Sequence, residues 1–367
     1  MTIPDAVFAQ TLLGFLAPVA PFLRDDRCSE IMINGFEEVY IERGGKLERT
    51  DARFASEHAL ESAVRNIAQF VGKTVSVDHP VLDARLPDGS RVCAILPPAA
   101  RRGICVSIRR FPKERLTVDQ LLKYGALTET ARTFLEICVL LKRNVMVAGG
   151  TGSGKTSLLN ALSSFVPKTE RIVVIEDSSE VQLQQPHAVY LEARPPDPKG
   201  RGAVTIRDLL RATLRMRPDR IVVGECRGGE ELDLIQAMTS GHGGSLSTVH
   251  ATYPHDTLHR LETLCLMSDV ELPLSAMRAQ IASAVNVIVQ TSRMNDGSRK
   301  ITHVAECLGL DDAGQYRLEM LFEWKQSGVD ATSGRVLGTL HPTGNLPTFA
   351  EEVTGAGLTL PEEMLPS

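Results

Sequence analysis

The stretch Gly149-Gly150-Thr151-Gly152-Ser153-Gly154-Lys155-Thr156 reads G-x-x-x-x-G-K-[ST]. An apolar, partly β-branched run, Asn144-Val145-Met146-Val147-Ala148, precedes it, and Ser157-Leu158-Leu159-Asn160-Ala161-Leu162 follows as the start of a helix. Strand, glycine loop and helix are the context in which this pattern marks a phosphate-binding P-loop. The glycines let backbone N–H groups come close to phosphate oxygens, and the helix N-terminus adds partial positive charge. The candidate phosphate contacts are Gly150, Thr151, Gly152, Ser153, Gly154, Lys155, Thr156 and Ser157. Lys155 would reach the β- and γ-phosphates, and the Thr156 hydroxyl would ligate Mg²⁺.

Downstream of the loop, strands and helices alternate in the manner of a mostly parallel sheet. Ile172 to Ile175 and Ile221 to Val223 are near-continuous Ile/Val runs, as buried parallel strands should be. Thr205-x-x-Asp208 opens a helix through Arg215, and Arg194 to Gly202 has the composition of a mobile loop. The tail after about Ser292 mixes strands, such as Ile301-Thr302-His303-Val304, with Gly/Pro-rich loops and shows no legible chemistry. Upstream, Glu129 to Leu141 reads as a helix, Thr117-x-x-Gln120 as a capping box, and Phe111 to Arg115 as an interdomain linker.

The first 110 residues have a different texture. Glu30 to Asn34 and Glu38 to Arg43 read as a strand pair with Asn34-Gly35 between them and Gly44-Gly45 after. Leu60, Ala63, Val64, Ile67, Ala68 and Val71 recur at helical spacing between Ser56 and Gly72. Two strands flank Pro87-Asp88-Gly89, and Ile104 to Ile108 is a further strand. The apolar stretch Thr11 to Leu23 is short, broken by Pro18 and Pro21 and preceded by Asp5, so it predicts neither a membrane span nor a signal peptide.

The 367 residues are 43% hydrophobic and 23% charged, ordinary globular composition with room for two domains. A net charge of −5 is not the overall footprint of a nucleic-acid binder. Seven cysteines without a C-x-x-C pair argue against a zinc knuckle or disulfide framework and fit a reducing compartment.

Two carboxylates end buried strands: Glu176 after Val173-Val174-Ile175, and Glu225 after Ile221-Val222-Val223-Gly224. In an open parallel sheet the C-terminal strand ends form the ligand crevice, where an acid can hold the Mg²⁺ shell or orient a water for attack on a γ-phosphate. A strand-end acid can equally cap the next helix. His242 sits among glycines and His250 ends a short β-like run; each can sense a γ-phosphate or serve as an ordinary loop histidine. Arginines are dense at 101, 102, 109, 110, 207, 211, 215, 217, 220 and 227, which suggests either a site shared between subunits or a solvated basic face.

Taken in order, the P-loop, Ile175-Glu176-Asp177 with Glu180, Leu214 to Glu225, and Gly241 to Ala251 resemble the Walker A, Asp box, Walker B and His box of the ATPases that drive type II and type IV secretion and pilus assembly. Phe22 to Asp25 and Glu30 to Gly35 resemble the N-terminal domain of the type IV secretion and conjugation branch, of the TrbB kind. The likeness covers roughly Pro21 to Gln290. It implies an α/β fold: a RecA-like P-loop NTPase domain over 117–367 with a mostly parallel sheet, a smaller α+β domain over 1–110, and a linker over 111–116. It also implies a homohexamer that binds ATP and Mg²⁺ between its domains and hydrolyses ATP. In that picture a domain swing at the linker powers an inner-membrane secretion or conjugative pilus machine from the cytoplasmic side. Any membrane contact would then be peripheral, and no direct nucleic-acid binding is expected.

By the same resemblance, Glu225 is the catalytic or Mg²⁺-associated carboxylate, held directly or through water. Glu176 is the Asp-box acid, Lys155 and His250 join it as catalytic groups, and His242 contacts nucleotide. Arg109 resembles an N-domain arginine on the phosphates, with Arg101, Arg102 and Arg110 as alternatives. The tetracysteine metal module of the type II branch is missing. Two rival functions are a RecA-like nucleic-acid translocase and an assembly platform with little turnover.

Overall fold

The computed structural model describes residues 12–111, 116–197 and 200–365. The chain falls into two compact units, Met1–Glu114 and Arg115–Ser367. Residues 112–115, most of the expected linker, lie outside the described residues, as do Pro198 and Lys199 of the expected loop.

The first unit is a six-stranded sheet, β1 (Cys28–Asn34), β2 (Val39–Arg43), β3 (Lys46–Arg49), β4 (Val81–Arg85), β5 (Arg91–Ile95) and β6 (Cys105–Arg109), in the order β3-β2-β1-β6-β5-β4. Every pairing is antiparallel. Alternate residues point inward, Ile31 and Ile33, Val39 and Ile41, Val92 and Ala94, Val106 and Ile108, which is the period-2 pattern of a half-buried strand. They share a core with Leu60, Ala63, Val64, Ile67 and Ala68 of the helix Glu57–Phe70, capped by the Ser56 hydroxyl on the Ala59 amide. The apolar N-terminal arm belongs to this core too: Leu12, Leu16, Val19 and Leu23 are buried in it. β3 is a short edge strand after Gly44-Gly45, beyond the strand pair expected from the sequence.

The second unit carries nine strands: β7 (Val145–Gly149), β8 (Ile172–Glu176), β9 (Ala188–Glu192), β10 (Arg220–Val223), β11 (Leu246–Val249), β12 (Val287–Arg293), β13 (Arg299–Leu310), β14 (Tyr316–Val329) and β15 (Val336–Pro342). Their order is β15-β14-β13-β12-β7-β11-β10-β8-β9. From β9 to β12 all neighbours are parallel; β13, β14 and β15 extend the sheet as antiparallel hairpins. This is the mixed α/β sheet expected. β7, β8, β10 and β11 are buried along their whole length. Val145, Val147, Ile172, Val174 and Val222 face one apolar layer, with the helices Glu129–Leu140 and Lys155–Ser163. Met146, Ala148, Val173, Ile175, Ile221 and Val223 face the other, with Glu230–Thr239, Pro254–Leu266 and Leu274–Ala284. Two covered faces explain why these strands read as unbroken apolar runs. The capping box at Thr117 forms as read, with both Gln120 N–H→Thr117 Oγ1 (3.3 Å) and Thr117 N–H→Gln120 Oε1 (2.9 Å). Among the described residues no helix is long and apolar enough to cross a membrane.

Candidate functional site

β7 ends at Gly149, and the helix Lys155–Ser163 starts six residues later. The turn between them needs glycine for two different reasons. A Cβ on Gly149 would lie 2.4 Å from both Ser153 Oγ and Thr291 Oγ1. Gly152 and Gly154 have φ of +69° and +96°, a left-handed region that side chains avoid. Gly150 has open space around it. Inside the loop the Ser153 amide donates to Gly150 O (3.3 Å), and Lys155 Nζ donates to Gly149 O and Gly150 O (3.0 Å each). These self-bonds occupy donors in a concavity of the kind that accepts anions.

The parallel register brings the strand ends level. Val249 of β11 lies opposite Ala148 of β7, so His250 emerges beside the P-loop. Val223 of β10 lies opposite Ser247 of β11 and Ile175 of β8, which sets Glu225 and Glu176 at the same edge. Lys155 Nζ approaches His250 Nδ1 at 3.3 Å, and His250 Nε2 approaches Glu225 Oε1 at 3.2 Å. Because an ammonium only donates, Nδ1 accepts and Nε2 carries the proton, which it donates to Glu225. Burial and the Lys155 charge hold the His250 pKa below its ordinary 6.5, against the pull of Glu225. The imidazole is therefore neutral and links the P-loop lysine to the strand-end carboxylate.

Glu176 stands differently. It is buried, and its Oε1 accepts the Glu180 and Val181 amides, both at 2.8 Å. Burial pushes its pKa up to about 7 in spite of those two bonds. Its side chain also explains the glycine before Glu225: a Cβ on Gly224 would lie 2.9 Å from Glu176 Cγ. Asp177, next to it, meets Arg227 Nη2 at 3.3 Å, and the same nitrogen lies 3.7 Å from Glu225 Oε2. Arg227 thus bridges two strand ends, a role its place in the sequence did not separate from the other arginines.

His242 does not join this group within its own chain. It precedes β11, beside the residues that lead into β7: a Cβ on Gly243 would lie 3.3 Å from Lys142 O, and Ser245 Oγ donates to His242 O at 2.8 Å. The whole of β11 separates it from His250, because a strand between two histidines carries them to opposite ends of a parallel sheet. Of the N-domain arginines, Arg110 is buried and donates to Cys28 O (3.0 Å) and Asp25 O, so it ties its own domain together. Arg109 ends β6, exposed, with Glu30 and Arg91 opposite it. Arg207 and Arg211 pair with Asp233 at 2.8 and 3.1 Å.

The tail reading needs a correction. The β12–β13 hairpin reaches the P-loop: Thr291 Oγ1 lies 2.8 Å from Ser153 Oγ and donates to Ala148 O (3.1 Å), and Arg299 Nε donates to Gly152 O (3.2 Å). Antiparallel hairpins carry no short motif, so nothing local in the sequence announced this contact.

The fold and this edge define a P-loop nucleoside triphosphatase with a RecA-like sheet. The profile of the family described as Type II/IV secretion system protein matches residues 15–333. A Mycobacterium tuberculosis protein named as a conjugal transfer protein is 35% identical over 302 residues, 81% of this chain and 85% of the relative. The type IV secretion system protein VirB11 of Brucella suis is 34% identical over 322 residues, 79% of this chain and 88% of the relative. The X-ray structure of the ATPase DotB from Legionella pneumophila shares the fold, with a TM-score of 0.56 at 20% identity over 78% of this chain and 79% of that one. The chain belongs to the type II/IV secretion system protein family and is an ATPase, with a nucleotide as substrate.

Proposed function

We propose that the protein is a Mg²⁺-dependent ATP-hydrolysing motor of a type IV secretion or conjugative pilus apparatus. It works as a homohexamer at the cytoplasmic face of the inner membrane, in contact with the apparatus proteins there. The observation that carries the reading is the chain Lys155–His250–Glu225 at the mouth of the P-loop. Lys155 would leave its own loop oxygens for the β- and γ-phosphates. His250 would hold the ammonium on one side and the Glu225 carboxylate on the other. Glu225 would orient the attacking water and take its proton. Arg227 would fix the second Glu225 oxygen, and Glu176 would support that strand end through Gly224 and the Glu180–Val181 amides. Arg109 from the first unit and His242 remain candidates for phosphate contacts from elsewhere in the assembly.

The oxygen donors at this edge, the Thr156 hydroxyl and the Glu225 carboxylate, suit Mg²⁺, which favours one or two protein oxygens together with phosphates. When bound, the ion would neutralise charge on the phosphates. The secretion and conjugation assignment rests on the family and on the conjugal-transfer and VirB11 relatives. The domain division at 1–110 and 117–367 is part of the same proposal.

The test is steady-state ATP hydrolysis by the purified protein, with and without single- and double-stranded DNA, beside Lys155→Ala. Hydrolysis that disappears with Lys155 and ignores DNA supports a motor whose track is a protein machine. Strong stimulation by DNA would replace it with a nucleic-acid translocase.

A further inference from the structure

The β12–β13 hairpin places two arginines against the outer side of the P-loop. Arg293 and Arg299 lie directly opposite each other across the pair of strands. Arg299 Nε donates to Gly152 O at 3.2 Å, and its Cγ lies 3.6 Å from where a Cβ on Gly154 would stand. Arg293 Nη1 lies 3.5 Å from the corresponding point on Gly152. The hairpin turn is itself anchored: Asp296 accepts the Ser298 amide (2.9 Å) and hydroxyl (2.7 Å), and its other oxygen accepts the Val336 amide of β15 (2.8 Å). Next to these arginines, Thr291 hydrogen-bonds Ser153 and Ala148.

Two points of physics turn this contact into a role. In a trans peptide the C=O and the following N–H point in opposite directions. Pinning Gly152 O outward on Arg299 therefore aims the Ser153 N–H inward, where it meets Gly150 O in the loop's own concavity. Like charges placed directly opposite on a strand pair repel, and a polyanion close by offsets that repulsion.

We propose that Arg299, assisted by Arg293, is a positioning residue for the phosphate loop: it orients the Gly152–Ser153 peptide toward the nucleotide's phosphates and adds positive charge behind them. The proposal rests on the nucleotide reading of this site. It predicts an effect on affinity for the di- and triphosphate more than on the chemical step, because neither arginine belongs to the Lys155–His250–Glu225 chain.

The experiment measures ATP turnover and ADP binding by titration for Arg299→Ala, Arg299→Lys and Arg293→Ala in the full chain, with Lys155→Ala alongside. Arg299→Ala should raise KM for ATP and Kd for ADP by about 10-fold with kcat within about twofold, the size of one lost hydrogen bond. Arg299→Lys, which keeps one donor and the charge, should recover part of that loss, and Arg293→Ala should raise Kd by about threefold. Thermal unfolding without nucleotide checks that each variant is folded. If Arg299→Ala does not fold, the other two variants decide. Wild-type Kd and KM in every folded arginine variant would overturn the proposal. A wild-type protein that binds no ADP would instead overturn the nucleotide reading, so the two failures are distinct.

Discussion

The two ends of the parallel strands in the second unit are both charged, yet they are built to different rules. At the C-terminal end, Lys155, His250, Glu225, Arg227 and Asp177 form a chain of contacts between 3.2 and 3.7 Å, with Glu225, Arg227 and His250 all partly open to solvent. At the N-terminal end, Arg220 is 1% exposed and donates to Glu170 at 2.5 Å, while Lys142 meets the other Glu170 oxygen at 3.3 Å. Asn144 closes that end further, donating to Ala284 O (2.7 Å) and accepting the Ser245 amide (3.0 Å). Long, loosely matched contacts can be exchanged for a ligand's; short, buried ones cannot without leaving a charge stranded. Chemistry belongs at the first end and architecture at the second.

The sharpest way to break that contrast is at Glu225. Glu225→Gln keeps an oxygen for His250 Nε2–H but removes the base, so kcat should fall about 10³-fold, within the range for a general base. ATP binding should persist. Normal turnover would mean that the open end does not use its carboxylate, and the contrast would lose its chemical half.

The second largest effect is expected at the sealed end. Arg220→Ala strands Glu170 with only Lys142 and empties the space against Gly244, where even a Cβ would lie 2.0 Å from Arg220 Nη1. The loss should be about 3 kcal/mol of unfolding free energy, the lower part of the range for a broken buried pair. Denaturant titration measures it. The kcat of the folded fraction should stay within about twofold. A variant of unchanged stability with lost turnover would move this end into the chemistry.

How much of this was legible in the sequence follows from how local each signal is. The P-loop, the strand-end acids and the capping box at Thr117 are short-range patterns, and each forms at the residues that carry it. Why a glycine precedes Glu225 is not legible locally, because that glycine answers to the Glu176 stem, 48 residues earlier in the chain. β9 was missed because its edge position leaves it half-exposed, without the apolar run of β8. The approach of Arg299 to Gly152 spans 147 residues and depends on a hairpin register, which no window of sequence contains. The two histidines show the same limit: they share one motif but not one end of the sheet.

Glu176 sharpens the comparison from inside the open end, as a buried acid in otherwise accessible surroundings. Its pKa is pushed up to about 7, chiefly by burial. The folded protein thus binds this proton more tightly than the unfolded chain does. The stabilisation is complete below the ordinary carboxylate value near 4.5 and is lost as pH rises through about 7. Glu176→Gln should remove that dependence, flattening the stability curve between these limits by on the order of 3 kcal/mol. Urea titrations at several pH values would show it; a slope that survives in the glutamine variant assigns the dependence to another group.

The smallest effect separates the two histidines. His250 faces Lys155, Glu225, Arg227 and Arg260, and burial with the lysine charge keeps its pKa below 6.5. At neutral pH Nδ1 is an acceptor. As pH falls below 6.5 through the lowered value, the ring gains its second proton, Lys155 loses that acceptor, and two cations face each other across 3.3 Å. Turnover should therefore show an acid limb below 6.5. His250→Ala should remove the limb and lower kcat about 10-fold at neutral pH, equivalent to about 1.4 kcal/mol of barrier. His242→Ala should cost less and keep the limb, since its ring lies at the other end of β11. An acid limb that persists without His250 and vanishes without His242 would reverse the assignment of the two ends, and a limb lost in both variants would require His242 to reach the site of a neighbouring subunit.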